Sequence, residues 1–596
     1  MRDNLMLFAT RLNQWRIQRI SNKNFLVILA VLVGIVGGLA ASVLKALTSY
    51  IASVLQNDVS WDFRGYLYLF FPLIGILLSV FYVRKFIRSK RMEHGITPII
   101  YVISNRSSRI PVHNVYSQII TSALTVGFGG SAGLEAPIVS SGSAIGSNIG
   151  RFFGLNYREV TMLLACGAAA GIAGAFNSPV AGMVFAIEIL LPEFSIPAFI
   201  PLLMAAATSS VISRLLYDEP LFHLVTEAYA FEAIFFYILL ALLVGFFSVF
   251  FNKLNHTSKL WFDRIKNQYR KAIFSGLILG VMIFVFPALY GEGYIAIQEL
   301  LAGKNSALLA NSIFSEYQHI GWMVVVYAVV TVFAKAFSTV ITLHSGGNGG
   351  NFGPSLVMGG LLGFAFAYGV NLTGLMELNI ANFVIAGMAG ALSGIMHAPL
   401  TSIFLIAEIT GGYVLMVPLM IVSAISYFIN RSNLKYSIYT QSLAEKGDWL
   451  SHDDKDKTVL KMMKLRYVVE QNFTVLHPDE KPMDRRLDIL HSKRNIFPVV
   501  DDGKELVGVI YSEKLFEILI GEASADKTMK ELAQAPQDVI NLDANMYDVM
   551  RKMDREDIWI LPVVNERSQY VGFVSKSAIF NKYRALLMRS NSYMND

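Results

Sequence analysis

The sequence places one carboxylate, Glu135, in an otherwise uncharged, glycine-rich stretch, GFGGSAGLEAPIVSSGSAIGSNIG, running from Gly127 to Gly150. Gly129, Gly130 and Gly133 free the backbone for a tight turn. Pro137 suits the first turn of a helix, where its missing N–H costs nothing. The spacing therefore predicts a glycine loop that feeds a helix N-terminus. Such a terminus exposes unpaired N–H groups and carries about half a positive charge, which makes it a site for anions. A carboxylate at its mouth can take the anion's place, leave it, or be neutralised by a proton. Gly142, Gly146 and Gly150 then recur every fourth residue, on one helix face, where a second helix can approach closely.

The surrounding chain is built for a membrane. Of 596 residues, 54% are hydrophobic and 16% charged, where soluble domains carry about 25% charged residues. Apolar runs cover 25–47, 66–83, 196–211, 230–251, 272–290, 324–340 and 414–429, near the length of about 20 residues that spans a bilayer. The first run is long and no small-residue cleavage site follows it, so no removable signal peptide is expected. Basic residues flank the first two runs: Arg11, Arg16, Arg19 and Lys23 before the first, Arg84, Lys85 and Arg88 after the second. The positive-inside bias puts these flanks in the cytoplasm. Nucleic acid is not implied by a net charge of +6 that sits beside the spans. The single cysteine, Cys166, excludes an intrachain disulfide framework and a cysteine-built metal site.

The membrane part is a duplication. GAAAGIAGAFNSPVAGMVFAIEI from Gly167 aligns without gaps on GMAGALSGIMHAPLTSIFLIAEI from Gly387, an offset of 220 that pairs Pro179 with Pro399 and Glu188 with Glu408. At an offset of 217 the first glycine loop falls on SGGNGGNFGP, so that Phe352 takes the place of Glu135. Interrupted hydrophobic segments recurring in two halves mark transporter sites, and two broken-helix N-termini are expected to converge on one site. Glu188 and Glu408, as repeat mates, are expected to share a structural role, bonding backbone or a neighbouring helix.

These motifs, in this order over residues 24–445, resemble the CLC chloride channels and proton/chloride exchangers. The resemblance implies a homodimer with one anion pathway per subunit. It maps the gating glutamate to Glu135, and chloride-binding positions to Gly133, Leu134 and Ala136 around it and to the amides of Asn351 and Phe352 in the second loop. It maps further chloride-binding positions to His94, Gly95 and Ile96 in the first motif, and to the late tyrosine, Tyr436 in LKYS. Three departures bear on function. His94 stands where the family carries serine, and Leu134 where it carries arginine. In proton-coupled members an acidic residue follows the position of Glu188; here it is Ile189. Glu135, Glu188 and His94 are the candidates for a proton pathway.

The tail carries a second duplication. FPVVDDGKELVGVI from Phe497 aligns with LPVVNERSQYVGFV from Leu561, an offset of 64. It resembles a tandem cystathionine-β-synthase (CBS) module. Such modules often bind adenine nucleotides, but the phosphate and ribose signature is poor: Ser575 offers a hydroxyl and Lys576–Ala578 no aspartate. A packing or dimerisation role is favoured, and no other cofactor is implied.

The expected architecture is an all-α polytopic membrane domain with duplicated, inverted-repeat broken helices, plus a small cytoplasmic α/β tandem CBS module. The expected divisions are an amphipathic arm at 1–23, a membrane domain at 24–445 with halves at 24–215 and 230–440, a linker at 446–465 and the tandem module at 466–590. The expected activity is chloride transport gated by Glu135 in a multi-pass protein of the cell membrane with cytoplasmic termini. Ile189 tilts it towards a passive or voltage-gated channel, with proton-coupled antiport as the alternative. A cation transporter using Glu135, Glu188 and Glu408 as ligands is a distant third. No Walker loop, His-x-x-x-His helix or nucleophile elbow points to an enzyme.

Overall fold

The computed structural model describes residues 19–57, 69–87, 95–105, 107–191, 196–217, 227–310, 312–446, 460, 463–521 and 526–591. Most of the amphipathic arm, most of the linker and His94 lie outside the described residues. The chain divides into two compact units, Met1–Trp449 and Leu450–Asp596.

The first unit is helical. Its elements are α1 (Asn22–Asn57), α2 (Phe71–Phe86), α3 (Thr97–Asn105), α4 (Asn114–Gly127), α5 (Glu135–Phe152), α6 (Tyr157–Phe176), α7 (Pro179–Phe185), α8 (Ile196–Leu216), α9 (Ile234–Asp263), α10 (Gln268–Val285), α11 (Tyr294–Leu301), α12 (Gly321–His344), α13 (Phe352–Thr373), α14 (Ile380–Met396), α15 (Pro399–Ile409) and α16 (Met416–Asn433). Among the described residues, seven helices are long and apolar enough to cross a membrane. Two of them, α6 and α13, fall outside the apolar runs of the sequence. They are rich in Gly, Ala and Ser, and they lie largely inside the protein, where small side chains let backbones meet.

Those meetings are close. A Cβ added to Gly142 would fall on the Gly167 carbonyl oxygen, and one added to Gly146 on that of Leu163, both across the α5–α6 contact. In the second half, Gly359 and Gly363 meet the Gly387 and Phe383 carbonyls in the same way across α13–α14. Overpacking of this kind costs about 1–3 kcal/mol, sometimes more. Gly146→Ala should therefore lower the thermal unfolding midpoint of the detergent-solubilised protein, as read by fluorescence. An unchanged midpoint would show that α5 and α6 can separate at no cost.

The duplication is visible atom by atom. Gly133 and Gly350, mates at the 217 offset, exchange both backbone hydrogen bonds as an antiparallel pair, at 2.9 and 2.8 Å. An antiparallel pair between repeat mates relates the halves by a two-fold axis. Asn177 and His397, mates at 220, both end their helices with a left-handed residue, φ 56° and 57°. Glu408 accepts the N–H groups of Val180 and Ala181 at the start of α7, at 3.0 and 2.8 Å. Glu188, in the π-helical turn Ala186–Leu190, accepts those of Leu400 and Thr401 at the start of α15, at 3.0 and 2.8 Å. Each half caps the other's short helix. Removing such an acceptor leaves partly buried N–H groups unpaired, at about 1–3 kcal/mol. Glu408→Ala should lower the unfolding midpoint, whereas Glu408→Gln, which keeps one acceptor oxygen, should lower it less. Equal midpoints for both variants and the wild type would deny the capping role.

The second unit contains β1 (Ile496–Val500) antiparallel to β2 (Leu506–Tyr511). It also contains β3 (Ile540–Asn541) parallel to β4 (Ile560–Val564), which pairs antiparallel with β5 (Tyr570–Ser575). The bridges repeat at the 64 offset: Leu476 with Val499 mirrors Ile540 with Val563, and Glu470 with Phe573 mirrors Gln534 with Val509. The last pair is an exchange, since each repeat lends an edge segment to the other's sheet. Phe473, Ile496, Val509 and Phe573 share a small core between the repeats.

Candidate ion site

Both glycine loops are fixed by hydroxyl and amide side chains from helices of the opposite half. Ser131 donates its N–H to Thr342 Oγ1 on α12 at 3.2 Å. Asn348 donates its backbone N–H to Thr125 Oγ1 at 3.0 Å, and its side chain to Thr121 and Gln118 on α4. In water-poor surroundings these polar groups must find internal partners, and doing so fixes where each loop releases its helix.

The two N-termini meet at Glu135. This residue is 3% exposed. Oε2 accepts the Gly353 N–H at 3.2 Å, and Oε1 accepts the Tyr294 hydroxyl at 2.6 Å. The carboxylate thus lies at the N-terminus of α13, in the other half, held by donors of the kind an anion would use. Gly353 has to be small, since a Cβ there would press on the Tyr294 hydroxyl and the Glu135 carboxylate.

The residues singled out in the sequence gather unevenly. Gly133 is paired with Gly350, Leu134 and Ala136 are buried beside Glu135, and Leu134 donates its N–H to Glu292 Oε1 at 3.1 Å. Asn351 stands at the start of α13, its carbonyl accepting from Ser355 N and Oγ. Phe352 is fully buried and packs on Phe176 and Phe185. From the second loop, the described amide that reaches Glu135 is that of Gly353, one residue beyond the pair named from the motif. Gly95, at φ 81°, turns the chain into α3, and Ile96 is buried in the same core. His94 lies outside the described residues.

The tyrosine differs from expectation. Tyr436 is partly exposed, with Lys435 over its ring at 5.6 Å. Tyr439 is the buried one, in the core that holds Ile96, Leu134 and Phe352; its hydroxyl meets Met396 Sδ at 3.1 Å. Its carbonyl accepts Thr97 Oγ1 at 2.9 Å, tying this turn to the start of α3. The LKYS match identified the turn but not which of its two tyrosines points inward.

Four charged or phenolic groups escaped the motif reading. Lys45, Glu292 and Tyr294 line, with Glu135, a cavity of about 970 Å³. Lys335, fully buried on α12, donates to the carbonyls of Leu289 and Gly291 at 3.3 and 2.9 Å and so holds the turn that carries Glu292. Lys45 and Lys335 each interrupt an apolar run, and an ionisable residue inside a membrane segment is itself a functional signal. The three carboxylates of the cation reading do not gather: Glu188 and Glu408 hold α15 and α7, and Glu135 holds α13. Among the described residues no cluster of His, Cys, Asp or Glu could hold a metal ion.

In the second unit, Glu470 accepts Arg494 at 2.7 Å and the Ser575 hydroxyl at 2.8 Å. The hydroxyl that a nucleotide would need is thereby engaged within the protein.

A duplicated bundle of broken helices, with a carboxylate seated on a helix N-terminus where its halves meet, defines a membrane ion-transport protein. The model of the voltage-gated chloride channel family matches residues 75–431, and the chain belongs to this CLC family. The CBS domain model matches residues 530–585. The chain is 29% identical to a ClcB-like chloride channel protein of Ralstonia nicotianae, over 55% of this chain and 74% of that one. It is also 29% identical to the H(+)/Cl(−) exchange transporter ClcA of Vibrio parahaemolyticus, over 55% and 69%. Its fold matches the crystal structure of a slow cyanobacterial Cl−/H+ antiporter with a TM-score of 0.60 at 22% identity, over 73% of this chain and all of that one.

Proposed function

We propose that this CLC-family protein exchanges chloride for protons, with Glu135 as the group both ions contest. The observation that carries this reading is the Glu135 carboxylate on the Gly353 N–H at 3.2 Å. An ionised carboxylate there excludes chloride; a protonated one can give up the amide to it. One residue thereby couples the two ions, since each arrival displaces the other.

Ile189, which tilts the sequence towards a passive channel, is outweighed. The exchange transporters among the relatives weigh for antiport. A relay acid sets the route by which a proton arrives, while exchange itself needs a group that alternately holds a proton and yields to the anion. Ile189 removes a relay and leaves that group in place.

The protein acts in this reading as a homodimer in the cell membrane with both termini cytoplasmic, on the strength of the family and the basic flanks. The tandem module serves packing, because Glu470 already occupies Ser575. The test is the reversal potential of the purified full-length protein in planar bilayers under a proton gradient at symmetric chloride. A shift away from zero supports exchange; a reversal potential fixed at zero rejects it.

A further inference from the structure

Glu135 is not the only carboxylate that reaches the glycine loops. Glu292 lies in the turn before α11, flanked by Gly291 and Gly293, both at positive φ, 58° and 91°. That backbone turns the Glu292 side chain towards the first glycine loop, where Oε1 accepts the Leu134 N–H at 3.1 Å. Leu134 directly precedes Glu135. One donor from each half is therefore held by a carboxylate: Gly353 by Glu135, and Leu134 by Glu292. Both carboxylates line the same cavity of about 970 Å³.

The ionisable groups that face Glu292 are Glu135, Lys45 and Lys335, with the Tyr294 phenol beside them. Lys335 is committed to the carbonyls of Leu289 and Gly291, so it positions the turn. Lys45 lines the cavity, and a cation in such a position favours the entry of an anion. An anion drawn there meets two carboxylates, each already seated on an amide it could use.

We propose that Glu292 is a second gating carboxylate, which an anion entering from the cavity must displace or find protonated before it reaches the amides of the first glycine loop. The inference rests on the proposed exchange, and it adds a titrating step that belongs to anion entry alone. Proton exchange stays with Glu135, so loss of Glu292 leaves coupling intact.

The experiment measures initial chloride efflux from liposomes holding the full-length protein, as a function of pH on the cavity side, for wild type, Glu135→Gln, Glu292→Gln and the double variant. Glu292→Gln should raise flux at alkaline pH and still move protons. Glu135→Gln should keep a pH dependence of about tenfold per unit on its alkaline limb, the slope of one titrating group, and the double variant should lose it. Should Glu292→Gln fail to fold, Glu292→Asp, which shortens the reach to Leu134 but keeps the acid, should also raise alkaline flux. A Glu292 variant that follows the wild-type profile, or a flat profile in Glu135→Gln alone, overturns the second gate and leaves the exchange reading standing. Proton movement that survives in Glu135→Gln overturns the exchange reading instead.

Discussion

Glu135→Gln should abolish proton movement while chloride flux continues. The amide side chain keeps the size of the acid and can still touch Tyr294 and Gly353, but it carries neither the charge that excludes chloride nor a titrating proton. In the wild type, lowering the pH should neutralise the carboxylate, free the Gly353 N–H and admit the anion, so chloride flux should rise as pH falls. The variant stands permanently in the neutral form, and its flux should be less pH-dependent than that of the wild type. Paired recordings of chloride efflux and proton uptake in liposomes read both effects. Proton movement that persists in the variant would remove Glu135 from the exchange.

Tyr294→Phe should tighten chloride binding. The phenol donates to Glu135 at 2.6 Å, and a hydrogen bond to a charged group contributes about 1.5–3 kcal/mol. In the proposed exchange chloride competes with the carboxylate for the Gly353 amide, so weakening the carboxylate's hold should favour the anion by up to the same amount. That corresponds to an apparent dissociation constant lower by roughly ten- to a hundredfold. The side chain is otherwise unchanged in shape, and the aromatic ring stays in its packing. Isothermal titration calorimetry with chloride reads the change. The same substitution in a Glu135→Gln background should leave affinity unaltered, because no charged competitor remains. Unaltered or weaker binding from Tyr294→Phe alone would mean that the carboxylate and chloride do not share the amide.

Much of this arrangement is legible in the sequence because it is repeated. The 220 offset that pairs Glu188 with Glu408 in the sequence is the offset between the helix starts they cap, Val180 and Leu400. In the tail, the 64 offset recurs in the pairing of Glu505 with Gln569, which are themselves mates. Glu135 stands out because a lone charge in an apolar stretch needs a reason. What the sequence hides is convergence over distance. Tyr294 lies 159 residues from the carboxylate it holds, and Gly353 lies 218 away; no local spacing links either to Glu135. The choice between Tyr436 and Tyr439 depends on which face of a short turn is buried, and the four-residue LKYS motif does not specify that. The α6 and α13 spans escape a hydropathy reading because their small residues are there for close packing, and their burial inside the protein relieves them of facing lipid. Lys335 was legible in principle, as a lone charge in the 324–340 run, but its role as the holder of the Glu292 turn depends on carbonyls more than forty positions away.

In the proposed exchange chloride and protons contest Glu135, and driven transport tests this most directly. The full-length protein is reconstituted in liposomes with high internal chloride, equal pH on both sides and the membrane potential clamped at zero. Chloride leaving down its gradient should pull protons inward against the pH difference that builds up, in fixed proportion to the chloride released. Chloride efflux at clamped potential with no accompanying acidification would contradict the account.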